Sequence, residues 1–212
     1  MKDLNYNEEM TKIYQNIYDN QKDVWSNQSA MREVSNIILC EEKSTTNSLL
    51  EIGGGRGLDL LKLINICNKY SLFEPVFSND LKEIQRIYST KVQWHQERFP
   101  TDGICGKFDI ILDNGCLHHE LLDSYTKYFR SLAHLSHHQT NFYLNVYGNK
   151  LSENTSFMGK LPDGRNGRVF HLNDSETFFN KFGWTIDKYW TLSNSKNARP
   201  YLLFKLNKRD LL

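Results

Sequence analysis

The first forty residues carry two apolar stripes at helical spacing. One comprises Met10, Ile13, Tyr14 and Ile17, the other Val24, Met31, Val34 and Ile38, so two amphipathic helices are expected. A polar connector, residues 41–47, leads into Leu49-Leu50-Glu51-Ile52, a short apolar run that ends in glycines as a buried parallel strand does. Helix and strand periods then alternate. A helix with Leu60, Leu61, Ile64 and Cys67 inward precedes a strand around Pro75-Val76-Phe77, a helix from about Leu81, and a short strand at Val92-Gln93-Trp94. Phe108-Asp109-Ile110-Ile111-Leu112 is the next strand. After it come a helix with Tyr125, Phe129, Leu132 and Leu135 on one face and the strand Phe142-Tyr143-Leu144-Asn145-Val146.

The end of the chain breaks this rhythm. A helix starting near Asn173, with Glu176 placed for a capping box, carries Phe178, Phe179 and Phe182 and stops at Gly183. The runs Trp184 to Leu192 and Tyr201 to Leu206 follow, joined by a loop too short for a parallel crossover. The pattern therefore predicts an α/β fold: a doubly wound, mostly parallel seven-stranded sheet with an antiparallel C-terminal strand and an N-terminal helical cover. At 212 residues it is expected to be one domain, with a helical segment over 1–40 and a core over 48–206. The stretch Gly148 to Asn173 is long for a connection and reads as a binding element, a lid or a poorly ordered insertion.

Composition narrows the function classes. With 26 basic and 25 acidic side chains and a net charge of +1, nothing draws the chain electrostatically to nucleic acid or an anionic membrane, so a small or protein-borne substrate is favoured. Cys40, Cys67, Cys105 and Cys116 form no CxxC pair and read as reduced residues. The polar, acidic start of the chain lacks the apolar stretch of a signal peptide or membrane span, and a cytoplasmic location is expected.

The strongest chemical signal is Gly53-Gly54-Gly55-Arg56-Gly57, a glycine turn between strand and helix where backbone N–H groups can approach a polar ligand. Asp80, read as the acid closing the next strand, is placed to accept from both hydroxyls of a ribose, although a helix N-cap would use the same residue. A dinucleotide fingerprint requires a glycine where Leu58 stands, and no GK[ST] follows for a Walker loop.

Taken together, Leu49 to Gly57 resembles motif I of the class I (Rossmann-like) S-adenosylmethionine-dependent methyltransferases. Asp80 and the strand Phe108 to Leu112 match that family's second acid and fourth strand, and Asp113-Asn114-Gly115-Cys116-Leu117-His118-His119 is similar to the segment after that strand in its small-molecule members. The resemblance spans about Leu49 to Leu206. It implies S-adenosyl-L-methionine as cofactor, with Glu51, Gly53, Gly54 and Gly55 at its methionine end, Asp80 at the ribose and Leu81 against the adenine. Glu97 would lie near the adenine amino group, although Gln96-Glu97-Arg98 departs from the usual context, and Asp113 and Asn114 would accept from the ammonium. It implies a small-molecule methyl acceptor. A DNA target is disfavoured because Asp113-Asn114-Gly115-Cys116 stands where DNA amino-methyltransferases carry (N/D)PP(Y/F).

Methyl transfer from a sulfonium mainly needs alignment and exclusion of water, with a base where the nucleophile bears a proton. His118 and His119 are the candidates, and packing against the following helix is the competing role. His134, His137 and His138 read as the dipole-favoured end of a helix, and Cys116 as packing. Tyr6, Tyr14, Tyr18 and Trp25 are candidates for an acceptor pocket or for core. Arg165 and Arg168 are candidates for an anion clamp or for solvated charge. A protein methyltransferase and a non-catalytic cofactor- or partner-binding module remain the alternatives.

Overall fold

Leu49 and Leu50 are adjacent in sequence and wholly buried, yet they belong to different hydrophobic cores, because successive strand side chains leave opposite faces of a sheet. They sit on β1 (Thr46–Ile52). The computed structural model describes residues 2–20, 22–23, 25–101, 104–149, 155–160, 165–193 and 199–209. Its helices are α1 (Lys2–Asp19), α2 (Ser29–Glu41), α3 (Leu58–Leu63), α4 (Asn79–Ile87), α5 (Tyr125–Leu135) and α6 (Leu172–Asn180). The remaining strands are β2 (Cys67–Phe73), β3 (Val92–His95), β4 (Phe108–Asn114), β5 (Ser136–Tyr147), β6 (Phe157–Lys160), β7 (Asn166–Val169), β8 (Trp184–Leu192) and β9 (Tyr201–Lys208).

Seven strands form one sheet in the order β3-β2-β1-β4-β5-β9-β8. Neighbours from β3 to β5 run parallel, and β9 is antiparallel to both β5 and β8. One core joins α2, α3 and α4 to the sheet through Val34, Leu60 and Leu81 against Leu49, Leu72 and Ile110. The other joins α5 and α6 through Phe129, Leu132 and Phe179 against Leu50, Ile111 and Phe204. Helices thus cover both faces, as the alternating pattern predicts. Among the described residues no helix is long and apolar enough to cross a membrane.

Three boundaries differ from the sequence reading, each for a physical reason. The strand expected at Pro75-Val76-Phe77 is instead β2, which begins at Cys67 and ends at Phe73. The preceding helix closes at Leu63, a 3-10 turn covers Ile64–Ile66, and Leu61 is exposed. Proline lacks the N–H that a central strand donates, so the ladder stops before Pro75. Likewise His137 and His138 are not on a helix but at the start of β5, where His137 Nε2 meets Asp109 Oδ1 at 3.0 Å. Finally, α6 is capped by His171, whose ring accepts from Asn173 N, and not by Asn173. Within Gly148 to Asn173, β6 and β7 pair as a small antiparallel hairpin. Val24, expected on the second helical stripe, lies outside the described residues.

Candidate functional site

The strand order reverses between β1 and β4, which makes their carboxyl ends the topological switch point where open α/β sheets leave a crevice. The glycine turn after β1 and the turn after β4 form its two lips. They enclose a cavity of about 1090 Å³, counting space continuous with solvent.

The glycine turn is clamped from both sides. Gly53 N and Gly54 N both donate to Phe73 O, at 2.8 and 3.1 Å, which ties the turn to the end of β2. Gly53 has φ +77°, and a Cβ there would lie 2.0 Å from Cys116 Sγ. A Cβ at Gly54 would meet the fully buried Leu72 at 2.5 Å. Gly54→Val should therefore lower stability by about 1–3 kcal/mol through overpacking and displace the turn. The paired measurement is thermal unfolding with ligand titration, and native behaviour in both would refute this account of the turn.

Glu74 follows β2 directly and lines the cavity. Its two carboxylate oxygens accept from Gly55 N at 2.8 Å and Val76 N at 3.1 Å, and each keeps a further lone pair. Burial pushes its pKa up to about 7, against the opposing pull of these two backbone bonds. Nothing in the sequence reading singled out Glu74, although an apolar run, Tyr70 to Phe73, ending in Glu-Pro was the available signal.

The turn after β4 is organised by Asp113. Its carboxylate accepts from Cys116 N at 2.6 Å, Leu117 N at 2.9 Å and the Tyr128 hydroxyl. This holds the 3-10 turn Leu117–His119 so that His118 and His119, both buried, line the cavity with ring centroids 4.3 Å apart. Beneath lies a polar network in which Asp59 accepts from Ser35 Oγ at 2.9 Å and Asn114 Nδ2 at 2.6 Å, while Asn114 Oδ1 accepts from Asn145. Arg32 stands 3.6 Å from Asp59 on the cavity wall, with its Nε and Nη1 buried and without a hydrogen-bond partner among the described residues.

Helix α1 roofs the opening. The Tyr6 hydroxyl donates to His119 O at 2.6 Å, and the Arg98 guanidinium lies under the Tyr6 ring while pairing with the buried Glu120 at 2.6 Å. Further along, Tyr14 and Tyr18 pack edge-on against Trp25, and Arg165 donates to the Tyr14 hydroxyl.

Of the residues anticipated from sequence, Gly53, Gly54, Gly55, Glu97, Asn114, His118 and His119 line the cavity. Others do not. Asp80 and Leu81 belong to the first turn of α4: Asp80 is half exposed and pairs with Arg56 at 2.5 Å, and Leu81 is wholly buried beside Gly57. The cause is the shifted β2, which ends seven positions before the acid assigned to it. Glu51 sits behind the turn, accepting from Tyr70 at 2.7 Å, with burial pushing its carboxyl well above the usual range. Asp113 acts on the turn from below, as described. Arg165 lines the cavity, whereas Arg168 lies over Phe170 and Phe178.

A family model described as a methyltransferase domain matches residues 26–189. No curated protein sequence matches significantly. Among solved structures, 1,6-didemethyltoxoflavin-N1-methyltransferase of Burkholderia thailandensis, with bound 1,6-didemethyltoxoflavin and S-adenosylhomocysteine, superposes with a TM-score of 0.86 at 22% identity. That match covers 97% of this chain and 90% of that one. An S-adenosylmethionine-dependent methyltransferase of Leishmania major gives 0.73 at 14% identity, over 95% and 83%. One from Clostridium acetobutylicum gives 0.63 at 12%, over 96% and 99%.

Proposed function

Since the chain belongs to the methyltransferase domain family, we propose that it moves the methyl group of S-adenosyl-L-methionine to an oxygen, nitrogen or sulfur atom of a small molecule. The observation that carries this reading is the roofed cavity at the β1/β4 switch point, lined by the glycine turn on one side and by the turn after β4 on the other. The roof weighs against a polypeptide acceptor, which needs an open groove.

The residues present fit the cofactor. The glycine turn has no room for a Cβ at Gly53 or Gly54, so its backbone is the surface a ligand meets. Glu74 would accept from the ribose hydroxyls, the place assigned from sequence to Asp80. Pro75, Glu97 and Phe99 would surround the adenine, with Pro75 taking the role expected of Leu81. Arg32, with two buried donors, would receive the carboxylate of the methionine moiety. The Asn114 side chain is already engaged in the network below, which leaves its backbone carbonyl for the ammonium. When bound, the sulfonium supplies an electrophilic methyl group. This chain's part is to hold the acceptor in line, exclude water and take a proton from the nucleophile, the last at His118 or His119.

Calorimetric titration with S-adenosylmethionine, S-adenosylhomocysteine and NAD tests the reading. Selective binding of the two sulfur ligands supports it. Binding of NAD alone overturns it, and binding of none favours a non-catalytic module. His119→Ala should lower turnover by about 100-fold, the usual share of a general base, with S-adenosylhomocysteine affinity nearly unchanged. Turnover at the native rate would assign His119 to packing.

A further inference from the structure

Asp59 lies where four segments of the chain converge. It stands on the first turn of α3, buried, and lines the cavity. Its Oδ1 accepts from Ser35 Oγ of α2 at 2.9 Å, and its Oδ2 accepts from Asn114 Nδ2 at 2.6 Å. Asn114 ends β4 opposite Asn145 of β5 in the ladder. The same Nδ2 donates to Met31 O at 3.1 Å, and Asn114 Oδ1 accepts from Asn145 Nδ2 at 2.8 Å. Both hydrogens of the Asn114 amide are thereby used, so its side chain cannot turn, and the main chain at the end of β4 is fixed on the cavity wall.

The remaining partner is Arg32, one helical turn before Ser35 on the same face of α2. Its Nη1 stands 3.6 Å from Asp59 Oδ1, close enough for a charge pair and too far for a hydrogen bond. Among the described residues Asp59 is the one carboxylate at pairing distance from Arg32, whose Nε and Nη1 are buried with no hydrogen-bond partner. The carboxylate thus holds the guanidinium by charge without using up its N–H groups. Buried donors without partners are costly, and an anionic oxygen arriving from the cavity relieves that cost.

We propose that Asp59 is a positioning residue for the amino-acid end of the cofactor: it sets the Arg32 guanidinium for the carboxylate and the Asn114 main chain for the ammonium. The inference rests on the methyl-donor reading above. Charge alone predicts the opposite effect at the carboxylate, because deleting an anion beside Arg32 should strengthen its hold on another anion. The sign of the change therefore separates positioning from simple electrostatics. Asp59→Asn is the informative variant. An amide of the same shape keeps its oxygen toward Asn114 Nδ2 and turns its NH2 toward Ser35 Oγ, which can accept. The network survives while the charge that holds Arg32 is gone.

The test is calorimetric titration of the full chain with S-adenosylhomocysteine and with 5′-methylthioadenosine, which keeps the adenosine and the thioether but lacks the amino-acid end. The native protein should bind S-adenosylhomocysteine at least about tenfold tighter, a difference of about 1.4 kcal/mol. Asp59→Asn should lose at least about tenfold toward S-adenosylhomocysteine and stay within about threefold for methylthioadenosine, and Arg32→Gln should behave alike. The double variant should match Arg32→Gln within about threefold, since groups acting through one contact are not additive. Tighter or unchanged S-adenosylhomocysteine binding in Asp59→Asn, equal loss of both ligands as a merely structural role would give, or losses that multiply in the double variant would overturn the proposal. If Asp59→Asn does not fold, Arg32→Gln decides: loss of both ligands or of neither leaves Asp59 nothing to position. Native protein that binds neither ligand sinks the methyl-donor reading itself, whereas native binding with an indifferent Asp59→Asn sinks this inference alone.

Discussion

Glu74→Gln should weaken S-adenosylhomocysteine binding by about 10- to 100-fold, the range expected when charge-assisted hydrogen bonds are lost, whereas Asp80→Ala should leave it within about threefold. The two acids differ in place, not in chemistry. Glu74 is buried on the cavity wall, and Asp80 is half exposed and neutralised by Arg56. The native protein should also show a pH signature. Ribose hydroxyls donate to the ionised carboxylate, and burial holds this carboxyl near pKa 7 before ligand arrives. Below that value binding must first expel a proton, so affinity rises as pH increases toward about 7 and levels off above it. Glu74→Gln has no such proton and its affinity should be flat across the same range. Parallel pH profiles for the two proteins would remove Glu74 from the ribose site.

The same shift has a consequence for stability with a definite sign. A carboxyl whose folded pKa is raised keeps its proton in the native state across a window where the unfolded chain has released it. Stability therefore falls as pH rises from the ordinary carboxylate range to about 7, by about 3 kcal/mol for Glu74 alone. Asp113, pushed up to about 6 by burial against the pull of its three donors, adds to the loss over the lower part of that window. Denaturation midpoints of ligand-free protein at pH 5 and pH 7.5 measure the sum, and Glu74→Gln should shrink it.

The architecture was legible because strand alternation and helical stripes are local signals. Leu49 and Leu50 announce a strand buried on both faces, and the short connection before Tyr201 announces the reversed strand. Where two local readings compete, pattern alone fails. Cys67 completes a helical stripe with Leu60 and Ile64, but it opens β2 because Thr46 pairs with it in the parallel ladder, and no spacing rule contains that long-range bond. The six-position slip that follows is enough to hand the cavity acid from Glu74 to Asp80. Glu51 and Asp113 show a related limit. Acids beside a ligand and acids that fasten the turn beneath it look alike in sequence, and only burial against Tyr70 or against the Cys116 and Leu117 amides separates them. His118 and His119 were legible as a pair and Arg165 as a candidate clamp, whereas Arg32 and Arg98 with Glu120 come together from segments far apart in the chain.

That distinction leads to the largest expected loss of stability. Asp113→Ala removes the acceptor shared by Cys116 N, Leu117 N and the Tyr128 hydroxyl, all at a site with no solvent exposure of the carboxylate's own residue. Leaving buried donors unsatisfied costs about 1–3 kcal/mol each. Partial relaxation of the turn should hold the total to about 3–5 kcal/mol, or about 10 °C in melting temperature for a chain of this size. Tyr128→Phe, which deletes one donor and keeps the ring, should cost only about 1 kcal/mol. The two variants must also part in function. With the turn released, the rings of His118 and His119 lose their fixed place, so Asp113→Ala should lose turnover by a larger factor than S-adenosylhomocysteine affinity, while Tyr128→Phe keeps most of both. If instead Asp113→Ala loses cofactor affinity as severely as Glu74→Gln does and melts like the native protein, its carboxylate contacts the ligand directly, and the fastening role derived from its three donors is wrong.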